Sequence, residues 1–135
     1  MRYMLDTNIC IYLILKRPPE VLKRLEQQYE GDVVMSSITY AELRAGVEMK
    51  STDRARDDAA LSALVARIPV QAFDEAGADA YGIARKAVPE RRRDAMDRLI
   101  AAHAVSLDLV LVTNNEADFS DYPGIKVENW VAGSS

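Results

Sequence analysis

Four stretches of this chain, far apart in sequence, each join an apolar run to an acid. They are Met4-Leu5-Asp6-Thr7-Asn8, Ser36-Ser37-Ile38-Thr39-Tyr40-Ala41-Glu42-Leu43, Asp97-Arg98-Leu99-Ile100-Ala101-Ala102-His103-Ala104 and Val112-Thr113-Asn114-Asn115-Glu116-Ala117-Asp118-Phe119. Acids set at the ends of core elements can meet where an open sheet presents the carboxyl ends of its strands. Massed carboxylates repel one another, and a hard cation such as Mg²⁺ or Mn²⁺ relieves that repulsion.

The hydrophobic periodicity between these stretches predicts alternating strands and helices. Arg2 to Leu5 reads as a buried strand, Asn8 to Lys16 and Glu20 to Tyr29 as helices around Pro18-Pro19, and Asp32 to Ser36 as a second strand. Thr39 to Lys50 and Asp53 to Arg67 follow as helices, then a short strand over Val70 to Phe73 and a helix from Glu75 to Val88. Asp94 to Leu107 is the clearest helix; Leu109 to Thr113 and Ile125 to Glu128 close the pattern as strands, the last at an edge. Strands separated by pairs of helices imply parallel pairing, hence one α/β domain over residues 1–135 with a mostly parallel sheet flanked by helices.

Composition narrows the function classes. A net charge of −4 argues against coating nucleic acid by electrostatics alone, but spares an enzyme whose acids are massed at one site. Cys10 is the single cysteine, which excludes an intrachain disulfide and fits a reducing, cytoplasmic setting. The run Ile9 to Leu15 is too short to cross a bilayer, and Asp6 interrupts any signal-peptide pattern, so no membrane partner is expected. No Gly-rich phosphate loop occurs, and His103 alone cannot build a histidine-based zinc site.

Each acid also has a plain structural reading. Asp6 can cap the helix that follows, while Asp6-Thr7-Asn8 offers both a cap and a ligand. Thr39-Tyr40-Ala41-Glu42 has the form of a capping box. Asp97 lies in a first helical turn, favoured there by the macrodipole, between Arg93 and Arg98. Asp118 falls in a polar turn, and His103 points with an apolar face as a satisfied core histidine would. Arg85, Lys86, Arg91, Arg92, Arg93 and Arg98 form the one basic concentration, either a solvated helix end or a landing strip for a phosphate backbone.

In order and spacing, the four stretches resemble the PIN-domain ribonucleases, and among them the VapC toxins of bacterial toxin–antitoxin pairs. The likeness runs on through Leu111-Val112-Thr113-Asn114-Asn115, Phe119 and Pro123-Gly124-Ile125-Lys126-Val127-Glu128-Asn129-Trp130. It implies a PIN-like fold and a Mg²⁺- or Mn²⁺-dependent endoribonuclease acting on RNA, tRNA among the possible substrates. Asp6 and Asp97 would ligate the principal ion, with Glu42 and Asp118 acting through water or on a second ion. Thr7, Asn8, Thr113 and Asn115 would support them, and Arg93 and Arg98 would meet the substrate. The partners implied are a homodimer mate and a VapB-type antitoxin whose Arg enters the site. A larger toxin–antitoxin hetero-oligomer would meet operator DNA only through the antitoxin. Asp94 stands where the family usually has glycine, and Asn115 where many members have an acid. The rivals are a non-catalytic PIN-like domain that binds RNA or a partner, and a phospho-receiver domain. A receiver needs an acceptor Asp after a central strand, where this chain has Ser36-Ser37.

Overall fold

The computed structural model describes residues 1–88 and 95–131. Its elements are β1 (Tyr3–Leu5), α1 (Thr7–Leu15), α2 (Pro19–Glu26), β2 (Val33–Ser36), α3 (Ser37–Lys50), α4 (Arg54–Arg67), β3 (Val70–Gln71), α5 (Glu75–Ala87), α6 (Ala95–Ser106), β4 (Val110–Val112) and β5 (Lys126–Glu128). A single turn of 3₁₀ helix spans Glu116–Asp118 between the last two strands. The sheet order is β3-β2-β1-β4-β5, and every pairing is parallel, as the alternation of elements predicts.

Side-chain alternation along the central strands divides the core between the two faces of the sheet. Tyr3 and Leu5 of β1 join Val33 and Met35 of β2 and Val112 of β4 in the cluster that α1 to α4 cover. Met4, Val34 and Leu111 point the other way, into a cluster closed by α5, α6, Phe119 and Tyr122. Met4 and Leu5 are both fully buried, so β1 has no solvent face. Burying each such side chain contributes about 1.5–3 kcal/mol. Trp130 is also fully buried and lies edge-on to Tyr3 at 5.4 Å between ring centroids, fixing the chain beyond β5 to the first face.

Local chemistry sets the element ends. Lys16 takes a left-handed conformation (φ 59°) and its N–H reaches back to Leu13 and Tyr12, so α1 ends before Pro18-Pro19 rather than at them. Pro19 opens α2, where a missing N–H costs nothing. Asp53 and Asp74 cap α4 and α5 through the amides of Arg56 and Gly77. Helix α2 ends at Glu26 rather than Tyr29, and two other boundaries differ from the sequence expectation for a visible reason. Helix α3 begins at Ser37 rather than Thr39, because the Ser36 hydroxyl accepts from the Ile38 amide at 3.0 Å. Strand β3 stops at Gln71 rather than Phe73, whose amide is taken by the Ser37 hydroxyl at 3.0 Å. Asp94, expected at the start of α6, and Arg91, Arg92 and Arg93 lie outside the described residues.

Candidate active site

Because all five strands run one way, their carboxyl ends form one edge, and α1, α3 and the 3₁₀ turn start there. A crossover helix returns the chain against the strand direction, so α6, which feeds β4 after a short loop, also begins over that edge. The four acidic stretches therefore share one rim of the sheet, as their positions after core elements predict.

Asp6 occupies the centre. Leu5 pairs with Val112, which sets Asp6 beside Thr113, and the Asp6 amide donates to the Val112 carbonyl at 3.0 Å. The carboxylate is 5% exposed and its Oδ1 accepts from the Ile9 amide at 2.9 Å, so Asp6 does cap α1. Burial pushes its pKa above the ordinary carboxylate range. Hydrogen bonds from the Thr113 hydroxyl and the amides of Ile9 and Asn8 oppose that rise, and the Glu42 carboxylate adds to it. Asn8 contributes its backbone here, while its side chain is exposed.

Glu42 corrects the capping-box reading. The cap of α3 is Ser36, which leaves Glu42 in the second turn, too far along to return to the helix start. Its Oε1 instead accepts from the Thr7 hydroxyl at 2.5 Å. Thr7 Oγ1 also lies 3.3 Å from Thr39 Oγ1. One hydroxyl hydrogen serves one acceptor, so Thr7 donates to Glu42 and Thr39 donates to Thr7. Thr39 is fully buried, and the sequence offers it as a helix cap rather than as a partner of Thr7. Its spacing of three from Glu42 on one helix face was the available signal.

Asp118 enters through a chain of small contacts. The Asn115 amide donates to Thr113 Oγ1 at 3.0 Å, Thr113 donates to Asp6, and the Asn115 side-chain amide donates to Asp118 Oδ2. Asp97 is half-buried in the first turn of α6. Arg98 is 2% exposed; it and Arg85 hydrogen-bond the Tyr81 hydroxyl and lower its pKa, so Arg98 lies against α5 rather than on the surface. Arg93 lies outside the described residues.

Among the described residues, no three His, Cys, Asp or Glu side chains surround one point as a finished metal cage would. The donor chemistry nevertheless fits a hard divalent cation. Asp6 and Glu42 are near enough to repel, Thr7, Thr113 and the amides of Asn8 and Ile9 meet them with hydroxyl and amide groups, and Cys10 is buried with its thiol pKa raised. The imidazole of His103 is directed away, to Ser36.

Comparison with known proteins bears on the family and the fold. The PIN-domain family model matches residues 3–125. A tRNA(fMet)-specific endonuclease VapC from Shigella flexneri is 37% identical over 132 residues, covering 96% of this chain and 98% of that protein. Ribonuclease VapC2 from Haemophilus influenzae is 38% identical over 133 residues, covering 97% and 99% respectively. Among solved structures, VapBC2 from Rickettsia felis bound to a DNA fragment from their promoter superposes with a TM-score of 0.84 at 34% identity, covering 96% of this chain and 99% of that one.

Proposed function

The chain belongs to the PIN-domain family, among its VapC ribonucleases, and on that footing we propose that it is a divalent-metal-dependent endoribonuclease held in check by a cognate antitoxin. The observation that carries the reading is Asp6: a buried carboxylate just beyond the carboxyl end of the central strand, with a second carboxylate, Glu42, raising the cost of its charge. A site with that cost and only hard oxygen donors is suited to Mg²⁺ or Mn²⁺.

Asp6 and Asp97 would hold the ion, with Glu42 and Asp118 completing its surroundings through water or a second ion. When bound, the ion supplies activation of the attacking water and positive charge against the developing charge at phosphorus. The rest falls to the chain itself. Thr113 and the Ile9 amide fix the orientation of the Asp6 carboxylate, and Thr7 does the same for Glu42. Asn115 holds Asp118 over the end of β4. Arg85 and Lys86 on the last turn of α5 are exposed and supply positive charge for the RNA backbone, a role in which Arg98 would first have to leave Tyr81. The Shigella relative is named for tRNA(fMet), which makes a tRNA the first substrate to test.

The antitoxin reading rests on a groove as well as on the relatives. Ile11 and Leu15 of α1, Leu43, Gly46 and Val47 of α3 and Leu61 of α4 line an open apolar trough of about 270 Å³, and Glu42 stands in its wall. A segment lying in that trough can carry an Arg to the acids and pair with them bidentately. A homodimer, a larger hetero-oligomer with the antitoxin, and operator DNA reached through it belong to the same proposal. So does the cytoplasm; no helix among the described residues is long and apolar enough to cross a membrane.

The test is cleavage-end sequencing of total RNA treated with purified protein, in Mg²⁺ or EDTA, with Asp6→Ala alongside. Discrete new ends that need both Mg²⁺ and Asp6 are expected. Equal cleavage by both proteins in EDTA would overturn the assignment. Expression of the chain alone should arrest growth, and co-expression of the small reading frame beside its gene should relieve it. Harmless expression of active nuclease, with no neighbour that binds it, would remove the toxin reading and leave the nuclease.

A further inference from the structure

We propose that His103 is a positioning residue, whose hydrogen bond to Ser36 ties the helix carrying Asp97 to the start of the helix carrying Glu42 and so sets the separation of those acids. The inference rests on the reading of Asp6, Glu42 and Asp97 as the ion site.

His103 is 1% exposed, and its Nδ1 lies 2.8 Å from Ser36 Oγ, across 67 positions of sequence. Ser36 Oγ also accepts from the Ile38 amide at 3.0 Å, so one hydroxyl joins the imidazole to the first turn of α3. Burial lowers the His103 pKa, and Asp74 and the Ala72 carbonyl offset part of the effect. The Phe73 ring meets the imidazole edge-on at 5.4 Å between centroids. Phe73 is fixed in turn by Ser37, and by Gly77, where an added Cβ would lie 3.0 Å from the ring. The imidazole is thereby gripped by the β2–α3 junction and by the segment between β3 and α5.

Arg98 ties α6 to α5 through the Tyr81 hydroxyl, but toward the sheet the α6 interface is less directional. Ile100, Ala101 and Ala104 pack on the sheet as apolar surface, which resists separation more than sliding or tilt. Asp97 stands six residues before His103, about 9 Å along the helix axis. A tilt of about 10° at the joint would move Asp97 by about 1.5 Å over that lever. Ion coordination tolerates only about 0.2 Å. The directional contact that joins α6 to the β2–α3 junction is therefore sufficient to govern whether the carboxylate falls within range.

The experiment measures Mn²⁺ binding to the RNA-free protein by calorimetry, beside thermal melts. The set is wild type, His103→Leu, His103→Asn, Ser36→Ala and Ile100→Val. His103→Leu should weaken Mn²⁺ binding about tenfold, the scale of lost support for a ligand. His103→Asn sets an amide where Nδ1 was and should return affinity to within about threefold of wild type. Ile100→Val loosens the same helix without touching the joint, so it should lower Tm and leave Mn²⁺ affinity alone. Wild-type affinity in His103→Leu, or a loss in Ile100→Val matching its Tm change, overturns the proposal. If His103→Leu fails to fold, Ser36→Ala must lose affinity where His103→Asn keeps it, and equal affinities overturn the proposal equally. Absence of Mn²⁺ binding by wild type overturns the ion site and the joint together, whereas failure of the joint alone leaves wild-type binding and cleavage intact.

Discussion

Asp6 and Asp118 are carboxylates that follow neighbouring strands of one sheet, yet their settings are opposite. Asp6 is 5% exposed and gripped by Thr113 and by backbone amides at the head of α1. Asp118 is half-buried on a short 3₁₀ turn, with the Asn115 amide against its Oδ2. The first is pre-oriented at the cost of carrying a charge out of water; the second stays partly in water, held by one side-chain amide on a short turn. A site made of one fixed and one adjustable acid concentrates its sensitivity at the fixed one.

Asp6→Asn tests that contrast with the largest expected effect. RNA cleavage should fall about a thousandfold, since several kcal/mol of charge stabilisation depend on the ion it holds. The metal-free fold should survive, because Asn caps a helix as well as Asp. The folded pKa of Asp6 is raised above its ordinary 3.8, so its ionisation costs stability as pH rises through the folded value. Metal-free Asp6→Asn should therefore melt at or above wild type near neutral pH, and lose that advantage in acid below the ordinary value. Melts at the two pH values and a cleavage assay check it; a Tm deficit at neutral pH with activity retained would make Asp6 structural.

Glu42→Gln comes next, with cleavage falling about a hundredfold, the usual scale for a lost acid–base or charge-holding group. Gln still accepts from Thr7, so Tm should hardly move. Thr113→Val attacks the grip rather than the acid. It removes a hydrogen bond that lowers the Asp6 pKa, so the pH at which cleavage switches on should shift upward. Mn²⁺ affinity should drop about tenfold, and stability by about 1 kcal/mol. An unchanged pH profile would show that Thr113 does not act on Asp6. Asp118→Asn should be the mildest, costing about fivefold or less and fading with added salt, as interactions of a hydrated charge do. A loss equal to that of Asp6→Asn would erase the contrast between fixed and adjustable acids.

The parallel sheet and the rim it creates were legible because apolar runs and helix pairs alternate along the chain, and that pattern admits few connections. Asp6 was legible as both cap and site candidate, and the cap is observed. The capping box at Thr39 was misread because three hydroxyl residues, Ser36, Ser37 and Thr39, stand at the start of α3, and local sequence does not say which reaches an amide first; Ser36 does. The burial of Arg98 was illegible for a different reason. A guanidinium reads as surface, and only its pairing with the Tyr81 hydroxyl on α5 explains where it lies. His103 was read as a satisfied core histidine, and Nδ1 is satisfied. Its partner lies on a distant element, and long-range pairing of that kind leaves no local pattern.

The place of β1 in the middle of the sheet also has a consequence in time. Synthesis delivers β1 first, then β2, which pairs with it on one side, and β3, which pairs with β2; β4, the neighbour of β1 on the other side, begins only at Val110. Asp97 and Thr113 leave the ribosome with that last third of the chain, at about 5–20 residues per second. Until then Asp6 faces an open sheet edge without the hydroxyl that orients it. On the reading of Asp6 and Asp97 as the ion site, that site is completed only in one late step of synthesis.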